Sequence, residues 1–334
     1  MSRVFNNLLK KDNVFDSALR PETWDNFVGQ EKIKKNIKII TTAAKERKQA
    51  PDHMLFYGSS GLGKTSLAYL VAKEIESPIK ITSGPAIERA GDLAAILTNL
   101  EQGSILFIDE MHRLNKIIEE YLYPAMEDFK LNIILGRGPM ARTMELKLPY
   151  FTLIGATTRV ALISSPLRNR FGATFQLGFY ELEDVGKILQ RSAKILGVEI
   201  EQEAIKIIAS RSRFTPRVAN RLLKRIRDFA QVENKGVITK EITEKALSWL
   251  DIDEMGLELG DRRILQALIE KFNGGPVGLQ ALAAVTSEEE NTILDIYEPY
   301  LMQLGFIERT PKGRIATSLA LKHLKTKGNK KLFT

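Results

Sequence analysis

The feature that most constrains this chain is the run GSSGLGKT at residues 58–65. Four residues separate its first and last glycines, a lysine and a hydroxyl residue follow, and the run lies between an apolar stretch and a helical pattern at 66–74. Such a loop binds phosphate, because backbone N–H groups can surround the oxygens at the positive end of a helix dipole. The sequence therefore predicts a nucleotide site. Its residues are Gly61 and Gly63 in the loop, Lys64 at the β and γ phosphates, Thr65 on Mg²⁺, and Ser66 in the first helical turn.

The surrounding sequence predicts an α/β fold. Short β-rich runs alternate with helical patterns through the first half of the chain, which is typical of a parallel sheet flanked by helices. From about residue 181 the pattern changes to helices alone, predicted at 183–196, 203–210 and 216–231. The predicted strands are 53–57, 78–82, 104–108, 152–156 and 174–177.

Two of the apolar runs end in polar residues suited to phosphate chemistry. The run 105–108 ends in Asp109, which is placed to hold Mg²⁺ through water, and Glu110, which is placed to orient and deprotonate the attacking water. The run 151–156 is followed by Thr157 and Thr158. We predict that Thr158 senses the γ-phosphate; a threonine that only terminates a strand is the alternative.

An arginine pair is predicted to act on a neighbouring subunit. The segment SPLRNRF at 165–171 places Arg168 and Arg170 just before a strand. In rings of AAA+ ATPases this segment supplies an arginine finger to the neighbour's γ-phosphate, a contribution of roughly 10³ to 10⁵ in the rate of related phosphoryl transfers. We assign this role to Arg170 and keep Arg168 as the alternative. The alternative without a catalytic role is that both arginines face solvent or form salt bridges.

A third arginine is predicted in the first turn of a helix. Thr215 has the chemistry of an N-cap and Pro216 that of a first helical residue, so Arg217 projects from the first turn. We predict that Arg217 reaches the phosphate across a domain joint. The alternative is a surface arginine in the basic helix that continues to Arg227.

Composition bounds the remaining possibilities. A chain of 334 residues is expected to form two or three domains. The absence of cysteine excludes disulfides, and the three histidines are too scattered to suggest a zinc site. The sequence has no apolar run of membrane-spanning length and no secretory h-region, so we predict a cytoplasmic protein without a membrane contact.

The positive charge is concentrated at one end. The formal net charge is +8, and residues 305–334 contain eight basic residues against one acid, Glu308. This is the footprint expected of a protein that meets a polyanion, although Lys322 to Lys331 taken alone favour a solubilising lysine-rich tail. The basic residues are Arg309, Lys312, Arg314, Lys322, Lys325, Lys327, Lys330 and Lys331.

The last 75 or so residues have the pattern of a winged helix. Helices are predicted at 261–272, 278–285 and 292–304, and strands at 306–309 and 314–317, with Pro311 and Gly313 at the turn. The third helix would enter the major groove in a sequence reader, but residues 288–304 contain five acids and no base. We therefore predict that Arg309, Lys312 and Arg314 of the hairpin meet DNA, through phosphates and without sequence preference.

Several longer segments resemble the RuvB family of AAA+ ATPases, over roughly residues 15–325. The chain departs from the family pattern at Ser59 and Ser60 in the phosphate loop and at residues 160–163. The segments that carry the resemblance are RPETWDNFVGQE (20–31), SGPAIE (83–88), DLAAILTNL (92–100), LYPAMEDF (122–129), GGPVGL (274–279), YEPYL (297–301), QLGF (303–306) and RTPKGRIAT (309–317).

The resemblance implies three parts: a large AAA+ ATPase domain (1–180), a small all-α lid domain (181–255) and a winged-helix DNA-binding head (256–334). It also implies ATP and Mg²⁺ as cofactors and a homohexameric ring on duplex DNA. By the same resemblance Leu19, Arg20 and Tyr180 frame the base and ribose. Glu127, Asp128 and Phe129 lie at the neighbour's nucleotide, and Arg309 and Arg314 contact DNA.

A predicted hairpin is a candidate for partner binding. Residues 132–148 alternate in character about a turn with Gly136, Gly138 and Pro139. The resemblance implies that this hairpin docks a RuvA-like junction-binding protein, with a RuvC-like resolvase as a further component of the complex. A hairpin packed on its own domain is the alternative.

Together these features favour an ATP-driven DNA motor that moves the branch point of Holliday junctions in recombination and repair. An AAA+ loader, in which ATP binding switches a complex, is the alternative from another class. A nucleotide-regulated winged-helix transcription factor is disfavoured by the acidic third helix.

Overall fold

The computed structural model describes residues 18–135 and 142–327. The chain divides into two compact units, Met1–Tyr180 and Glu181–Thr334. The predicted hairpin turn with Gly136, Gly138 and Pro139 and the terminal lysines Lys330 and Lys331 lie outside the described residues.

The first unit contains a five-stranded parallel sheet, as predicted. Its strand order is β2-β3-β6-β1-β7, so that β1 lies between β6 and β7. The strands β1, β3 and β6 are apolar and almost completely buried, which is the pattern of a parallel sheet covered on both faces. The strands are β1 (Met54–Tyr57), β2 (Ile79–Ser83), β3 (Ile105–Asp109), β6 (Thr152–Thr157) and β7 (Ala173–Gln176).

Helices cover this sheet. Asn115 caps α4, its side chain accepting the N–H of Ile118 at 2.9 Å, and the buried face of α4 packs into the main core of the unit. The helices are α1 (Glu31–Arg47), α2 (Lys64–Glu74), α3 (Ala90–Thr98), α4 (Lys116–Glu127) and the single turn α5 (Ser165–Arg168).

The topology separates the predicted site residues onto two edges of the sheet. Because all five strands are parallel, the phosphate loop after β1, Asp109 at the end of β3 and Thr157 at the end of β6 lie on the carboxyl edge. Arg170 lies three residues before β7 begins, on the opposite, amino edge. Strands of four to six residues separate the two edges by roughly 13–20 Å.

The predicted hairpin is present as a separate two-stranded sheet, β4 (Lys130–Leu135) with β5 (Arg142–Lys147). Its register pairs Lys130 with Lys147 and Leu135 with Arg142. Leu131 and Leu148 are buried in the main core, whereas Met144 is 41% exposed. The base of the hairpin is thus packed on its own domain, and the exposed part extends beyond that contact.

The second unit begins with a helical bundle. The three predicted helices are present, and a fourth, α9, was not predicted from the sequence. Thr239 caps α9 by accepting the N–H of Ile242 at 3.3 Å, and Ala246 and Leu247 are buried in the bundle. The helices are α6 (Leu182–Leu196), α7 (Gln202–Ser210), α8 (Pro216–Glu233) and α9 (Lys240–Trp249).

The unit ends in a winged helix with its own core. The predicted third helix is interrupted, because a π-helical turn, Ile293–Tyr297, separates two short helices; the closing helix α14 was not predicted. Strands β8 and β9 and their turn form the wing. The elements are α10 (Leu259–Gln266, continued by a π-helical turn, Ala267–Lys271), α11 (Leu279–Thr286), α12 (Glu290–Thr292), α13 (Glu298–Gln303), β8 (Ile307–Thr310), β9 (Gly313–Ala316) and α14 (Ser318–Lys327).

A buried ion pair joins the bundle to the winged helix within this second unit. Arg213 donates to the Asp261 carboxylate at 2.5 Å, and its guanidinium lies 5.3 Å from the ring centre of Tyr300. Burial raises the pKa of Asp261 to about 6, although Arg213 and the N–H of Glu258 oppose the rise. Arg213 and Phe214 both have positive φ angles, 55° and 54°, immediately before the cap of α8.

None of the helices in the described ranges combines the length and apolar character that a membrane crossing requires.

Candidate functional site

The phosphate loop has the backbone that its sequence predicts. Gly58, Gly61 and Gly63 have φ angles of 143°, 81° and 101°, which residues with a side chain rarely adopt. A Cβ at Gly58 would lie 2.5 Å from the Leu177 carbonyl oxygen, so no larger residue fits there. Helix α2 begins at Lys64, directly after Gly63, and presents its first N–H groups to the loop.

Lys64 is folded onto the loop. Its ammonium donates to the carbonyl oxygens of Gly58 at 2.8 Å and Ser59 at 2.9 Å, and the residue is only 7% exposed. A phosphate oxygen in the loop would add a charge-assisted hydrogen bond to this buried ammonium. This lysine therefore suits an anion in the loop.

The two acids at the end of β3 differ in conformation. Asp109 ends the strand, and its Oδ1 accepts the N–H of Glu110 at 2.9 Å. Glu110 has a left-handed backbone, φ 48° and ψ 43°, which is uncommon for a residue with a long side chain. Such strained residues cluster at functional sites, because the surrounding structure must hold them in place.

A histidine that the sequence analysis did not assign links these acids to the neighbouring strand. His112 Nδ1 lies 3.3 Å from Glu110 Oε2 and 3.0 Å from Thr157 Oγ1. The carbonyl of Thr157 in turn accepts the N–H of Gly58 at 3.2 Å. The phosphate loop, the acidic pair and the end of β6 therefore form one continuous set of contacts. No sequence pattern indicates this contact, since it depends on the pairing of β3 with β6.

Thr158 offers a polar atom to this site. Its Oγ1 is buried and has no hydrogen-bond partner among the described residues, whereas Thr157 Oγ1 already contacts His112 and the N–H of Arg159. A buried hydroxyl without a partner is costly, and a ligand oxygen would satisfy it. The residues present thus fit a nucleoside triphosphate.

The residues suited to Mg²⁺ are Thr65 and Asp109. In the described part of the chain, His, Asp and Glu residues form no group of three that could hold a metal without a nucleotide. A metal bound by one hydroxyl, one carboxylate and phosphate oxygens is the arrangement that Mg²⁺ prefers, because this ion retains several waters.

Two of the three residues expected to frame the base contact the loop or the helix that follows it. Tyr180 is buried and donates its hydroxyl hydrogen to the Leu62 carbonyl at 3.1 Å. Leu19 is also buried, and the Arg20 guanidinium stacks 4.2 Å from the ring centre of Tyr69 in α2. The structure thus ties Tyr180 to the loop and Arg20 to the helix that follows it.

The predicted arginine finger lies at the other edge of the sheet. Arg170 donates to Glu127 Oε2 at 3.1 Å and to the Pro166 carbonyl at 2.9 Å, and it stacks 4.4 Å from the ring centre of Tyr123. Glu127 was predicted to lie at a neighbour's nucleotide, and the structure brings it together with Arg170. Because the two edges are separated by the length of the strands, Arg170 cannot reach the phosphate loop of its own chain.

A buried histidine supports this second edge. His53 Nδ1 accepts the N–H of Leu153 at 2.8 Å, so Nε2 carries the proton and donates to the Met126 carbonyl at 3.0 Å. Its ring packs against Phe129 and Phe151. Burial lowers the pKa of His53 below its ordinary 6.5, and only the neutral ring satisfies both hydrogen bonds.

We expect His53 to make the stability of the first unit dependent on pH. Its folded pKa lies below the unfolded value, so the unfolded state binds the extra proton first and stability falls as pH drops below about 6.5. Each unit of depression corresponds to about 1.4 kcal/mol. In calorimetric unfolding of the wild type and His53→Gln, the variant should be less stable at pH 7.5, and the difference should shrink by pH 5.5. A difference that does not change with pH would contradict a lowered pKa at His53.

Arg217 lies in the second unit, exposed in the first turn of α8. The predicted cap is present, since Thr215 Oγ1 accepts the N–H of Val218 at 3.4 Å. The role of Arg217 at a phosphate stays a prediction. So does the role of Asp128, which is exposed one residue after α4 ends.

The basic residues of the wing differ in exposure. Arg309 is 53% exposed, and Arg314, directly opposite it across the hairpin, is 13% exposed. Both donate to Glu298, which is buried. Lys312 lies exposed at the turn. The wing thus exposes Arg309 and Lys312, while most of Arg314 is buried.

This pairing corrects one step of the sequence interpretation. Glu298 was counted among the acids that would repel DNA phosphates from the third helix. It is the first residue of α13, and its carboxylate is covered by two guanidinium groups. Of the other acids of that segment, Glu289 and Glu290 are exposed, and Glu288 and Asp295 are half-buried.

A P-loop domain with an acidic pair after β3, followed by a helical bundle and a winged helix, defines an AAA+ ATPase with a lid and a nucleic-acid-binding head. Comparison with known proteins narrows this class. Three family models match in succession: "Holliday junction DNA helicase RuvB P-loop domain" at residues 19–177, "RuvB AAA lid domain" at 180–253 and "RuvB C-terminal winged helix domain" at 254–325. The chain belongs to the RuvB family.

Individual relatives match along almost the whole chain. Proteins named "Holliday junction branch migration complex subunit RuvB" are 56% identical over 321 residues in Dehalococcoides mccartyi and 57% identical over 313 residues in Chloroflexus aurantiacus. These alignments cover 96% and 94% of this chain and 92% and 89% of the relatives. The structure of the "RuvB Holliday junction branch migration motor" of Thermotoga maritima superimposes with a TM-score of 0.85 at 49% identity, covering 92% of this chain and 98% of that one.

Proposed function

We propose that this chain is an ATP-driven motor that moves the branch point of Holliday junctions, in recombination and repair, as a hexameric ring on duplex DNA. Relatives that match it nearly end to end carry Holliday junction branch migration in their names. The observation that carries the ring is the placement of Arg170 with Glu127 on the sheet edge opposite the phosphate loop. A finger at that position can serve only the site of another subunit.

In this proposal each residue of the carboxyl edge has one task. When bound, ATP would supply the phosphoanhydride bond to be cleaved, and Mg²⁺ would neutralise the negative charge of its phosphates. Lys64 binds the β and γ phosphates, and the N–H groups at the start of α2 hold them in place. Thr65 and Asp109 hold the metal, Glu110 takes the proton of the attacking water, and Thr158 donates its hydroxyl hydrogen to an oxygen of the site.

His112 acts on Glu110, and Arg170 acts on the neighbouring subunit. His112 lies within contact of both Glu110 and Thr157, and so it limits where the carboxylate can lie. Arg170 is held by Glu127 and Tyr123 before any neighbour arrives, so little side-chain entropy is lost when it meets a phosphate. Leu19, Arg20 and Tyr180 then position the base and ribose, and Arg217 senses the phosphate.

A strand-exchange assay on a synthetic four-way junction tests the function directly. With ATP the wild type should separate the junction into two duplexes, and Lys64→Ala should not, because the phosphates lose their buried cation. Circular dichroism of the variant should match the wild type, which controls for folding. Junction processing at equal rates with and without hydrolysable ATP would favour the loader alternative, in which hydrolysis only resets a complex.

The same assay tests the partner. We propose that the hairpin of β4 and β5 docks a RuvA-like protein, because Met144 is exposed there while Leu131 and Leu148 hold its base on the core. Addition of such a protein should increase strand exchange. A RuvC-like resolvase is a further candidate for this assembly.

We expect binding to duplex DNA to depend steeply on salt and little on sequence. The exposed basic residues of the wing, Arg309 and Lys312, provide two phosphate contacts per subunit. Two contacts give a slope of about −1.8 in log K against log salt concentration, which is roughly a tenfold loss of affinity between 50 and 200 mM salt. Fluorescence anisotropy with two duplexes of unrelated sequence measures both properties. Equal affinity at the two salt concentrations would contradict the proposed contact.

A further inference from the structure

The wing places two positive charges directly opposite each other. In the register of β8 and β9, Arg309 pairs with Arg314, so both side chains lie on the same face of the hairpin. Like charges at such a pair repel and destabilise the hairpin. Any chain that keeps both arginines there needs a compensating group.

Glu298 provides that group from outside the hairpin. Its Oε1 accepts hydrogen bonds from Arg309 Nε at 2.9 Å and Arg314 Nε at 3.2 Å, and its Oε2 accepts from Arg314 Nη2 at 3.1 Å. The carboxylate is only 2% exposed. We call Glu298, Arg309 and Arg314 the wing cluster; its net charge is positive, although it contains a buried acid.

The two arginines are held differently. Arg314 uses two nitrogens on Glu298 and is 13% exposed, so most of its hydrogen-bonding capacity is directed inward. Arg309 uses only Nε and is 53% exposed, so its two terminal nitrogens remain outside this contact. A guanidinium fixed at Nε presents the other two nitrogens in a defined direction, because the group is planar.

The backbone beneath Arg314 is also fixed. Its N–H and carbonyl exchange hydrogen bonds with Val277 at 2.8 and 2.9 Å, so β9 is paired on both sides at this residue. A Cβ at Gly313 would lie 2.3 Å from the Val277 carbonyl oxygen, and the φ angle there is 136°. The base of the wing cluster is therefore rigid.

We propose that Glu298 is a positioning residue for DNA binding: it anchors Arg314 as a buried support and holds Arg309 ready to contact phosphate. This inference rests on the proposed function of the wing. It reassigns Arg314, which the sequence placed among the DNA contacts, to a supporting role. The chemical class of the ligand is the phosphate backbone of duplex DNA, which carries no sequence information.

Charge and positioning predict opposite outcomes for one substitution. Glu298→Gln removes a negative charge beside the DNA surface, so charge alone predicts tighter binding and a steeper salt dependence. Positioning predicts weaker binding, because Arg309 loses its ionic anchor and must be ordered when DNA arrives. We expect the affinity for a fluorescein-labelled duplex of 30 or so base pairs, at a fixed salt concentration, to fall on the order of tenfold.

Glu308→Gln is the matched control. Glu308 is an exposed acid next to Arg309 on the same strand, opposite Ile315. Its replacement removes the same charge without touching the wing cluster, so affinity should stay the same or rise slightly. Affinity that rises equally in Glu298→Gln and Glu308→Gln, or that does not change in Glu298→Gln, overturns the proposal.

A double-mutant cycle separates positioning from general damage to the domain. In the Arg309→Ala background, Glu298→Gln should weaken binding little further, because the group that it positions is already absent. An equal loss in both backgrounds assigns Glu298 a structural role only. If Glu298→Gln does not fold, Glu298→Asp replaces it, since it keeps the charge but shortens the reach; wild-type affinity in that variant overturns the proposal.

The Arg309→Ala variant also tests the underlying function. Arg309→Ala should lose affinity and about one unit of the slope of log K against log salt concentration. If it does, and Glu298→Gln shows no loss, only the role of Glu298 is rejected. Unchanged binding in Arg309→Ala rejects Arg309 as a DNA contact, and with it the role proposed for Glu298.

Discussion

Glu110→Gln is expected to bind ATP with nearly wild-type affinity and to hydrolyse it at least about 100-fold more slowly, the loss typical of a missing general base. Glutamine keeps the size of the side chain and the contact with His112, but it cannot accept the proton of the attacking water. The left-handed backbone at Glu110, φ 48°, tolerates glutamine as well as glutamate, so the fold should be unchanged.

Two measurements separate this outcome from a binding defect. A fluorescent nucleotide analogue should report similar dissociation constants for the wild type and Glu110→Gln, while phosphate release in a single turnover should be slow only in the variant. Glu88→Gln, which replaces an exposed acid after β2, controls for the loss of one charge and should behave as the wild type. Normal turnover in Glu110→Gln would show that another group is the base.

Arg170→Ala is expected to lower ATP turnover on the order of 10³-fold, at the lower end of the effect of arginine fingers. The reason is topological. The guanidinium lies at the amino edge of the sheet with Glu127 and Tyr123, and the phosphate loop lies at the carboxyl edge, so the residue acts on another subunit or not at all. Nucleotide binding by the variant should change little.

A mixing experiment decides between these possibilities. Glu110→Gln lacks a base but carries an intact finger, and Arg170→Ala lacks the finger but carries an intact base. In rings formed from equal amounts of the two, about a quarter of the interfaces combine both intact groups, so two nearly inactive proteins should regain activity when mixed. Absence of any gain would place Arg170 outside the neighbour's site. Arg168→Ala distinguishes the two candidates, since a loss there and not in Arg170→Ala would reverse the assignment.

The sequence predicted the carboxyl edge of the sheet well, because its motifs are local. The loop GSSGLGKT and the apolar run that ends in Asp109 and Glu110 each predict a strand, the residue at which it ends and the element that follows it along the chain. The observed strands begin and end within one or two residues of the predicted positions. Parallel pairing then brings the ends together whatever the order of the strands. The order itself, β2-β3-β6-β1-β7, follows from tertiary packing that no local pattern records.

The sequence did not predict contacts between distant residues. His112 was treated as one of three scattered histidines, yet it contacts Thr157, 45 residues away. Glu298 was counted as a repelling charge, yet it pairs with Arg309 and Arg314, 11 and 16 residues away. In both cases the residue type was visible and its partner was not. Helix α9 was missed, although its capping residue, Thr239, is visible in the sequence.

The joint between the helical bundle and the winged helix has a mechanical consequence. Arg213 is clamped by Asp261 and Tyr300, and only Phe214 separates it from Thr215, the residue that starts α8. If the winged helix rotates relative to the bundle, this ion pair passes the motion directly to the first turn of α8, which carries Arg217. No long connection lies between them that could absorb the motion.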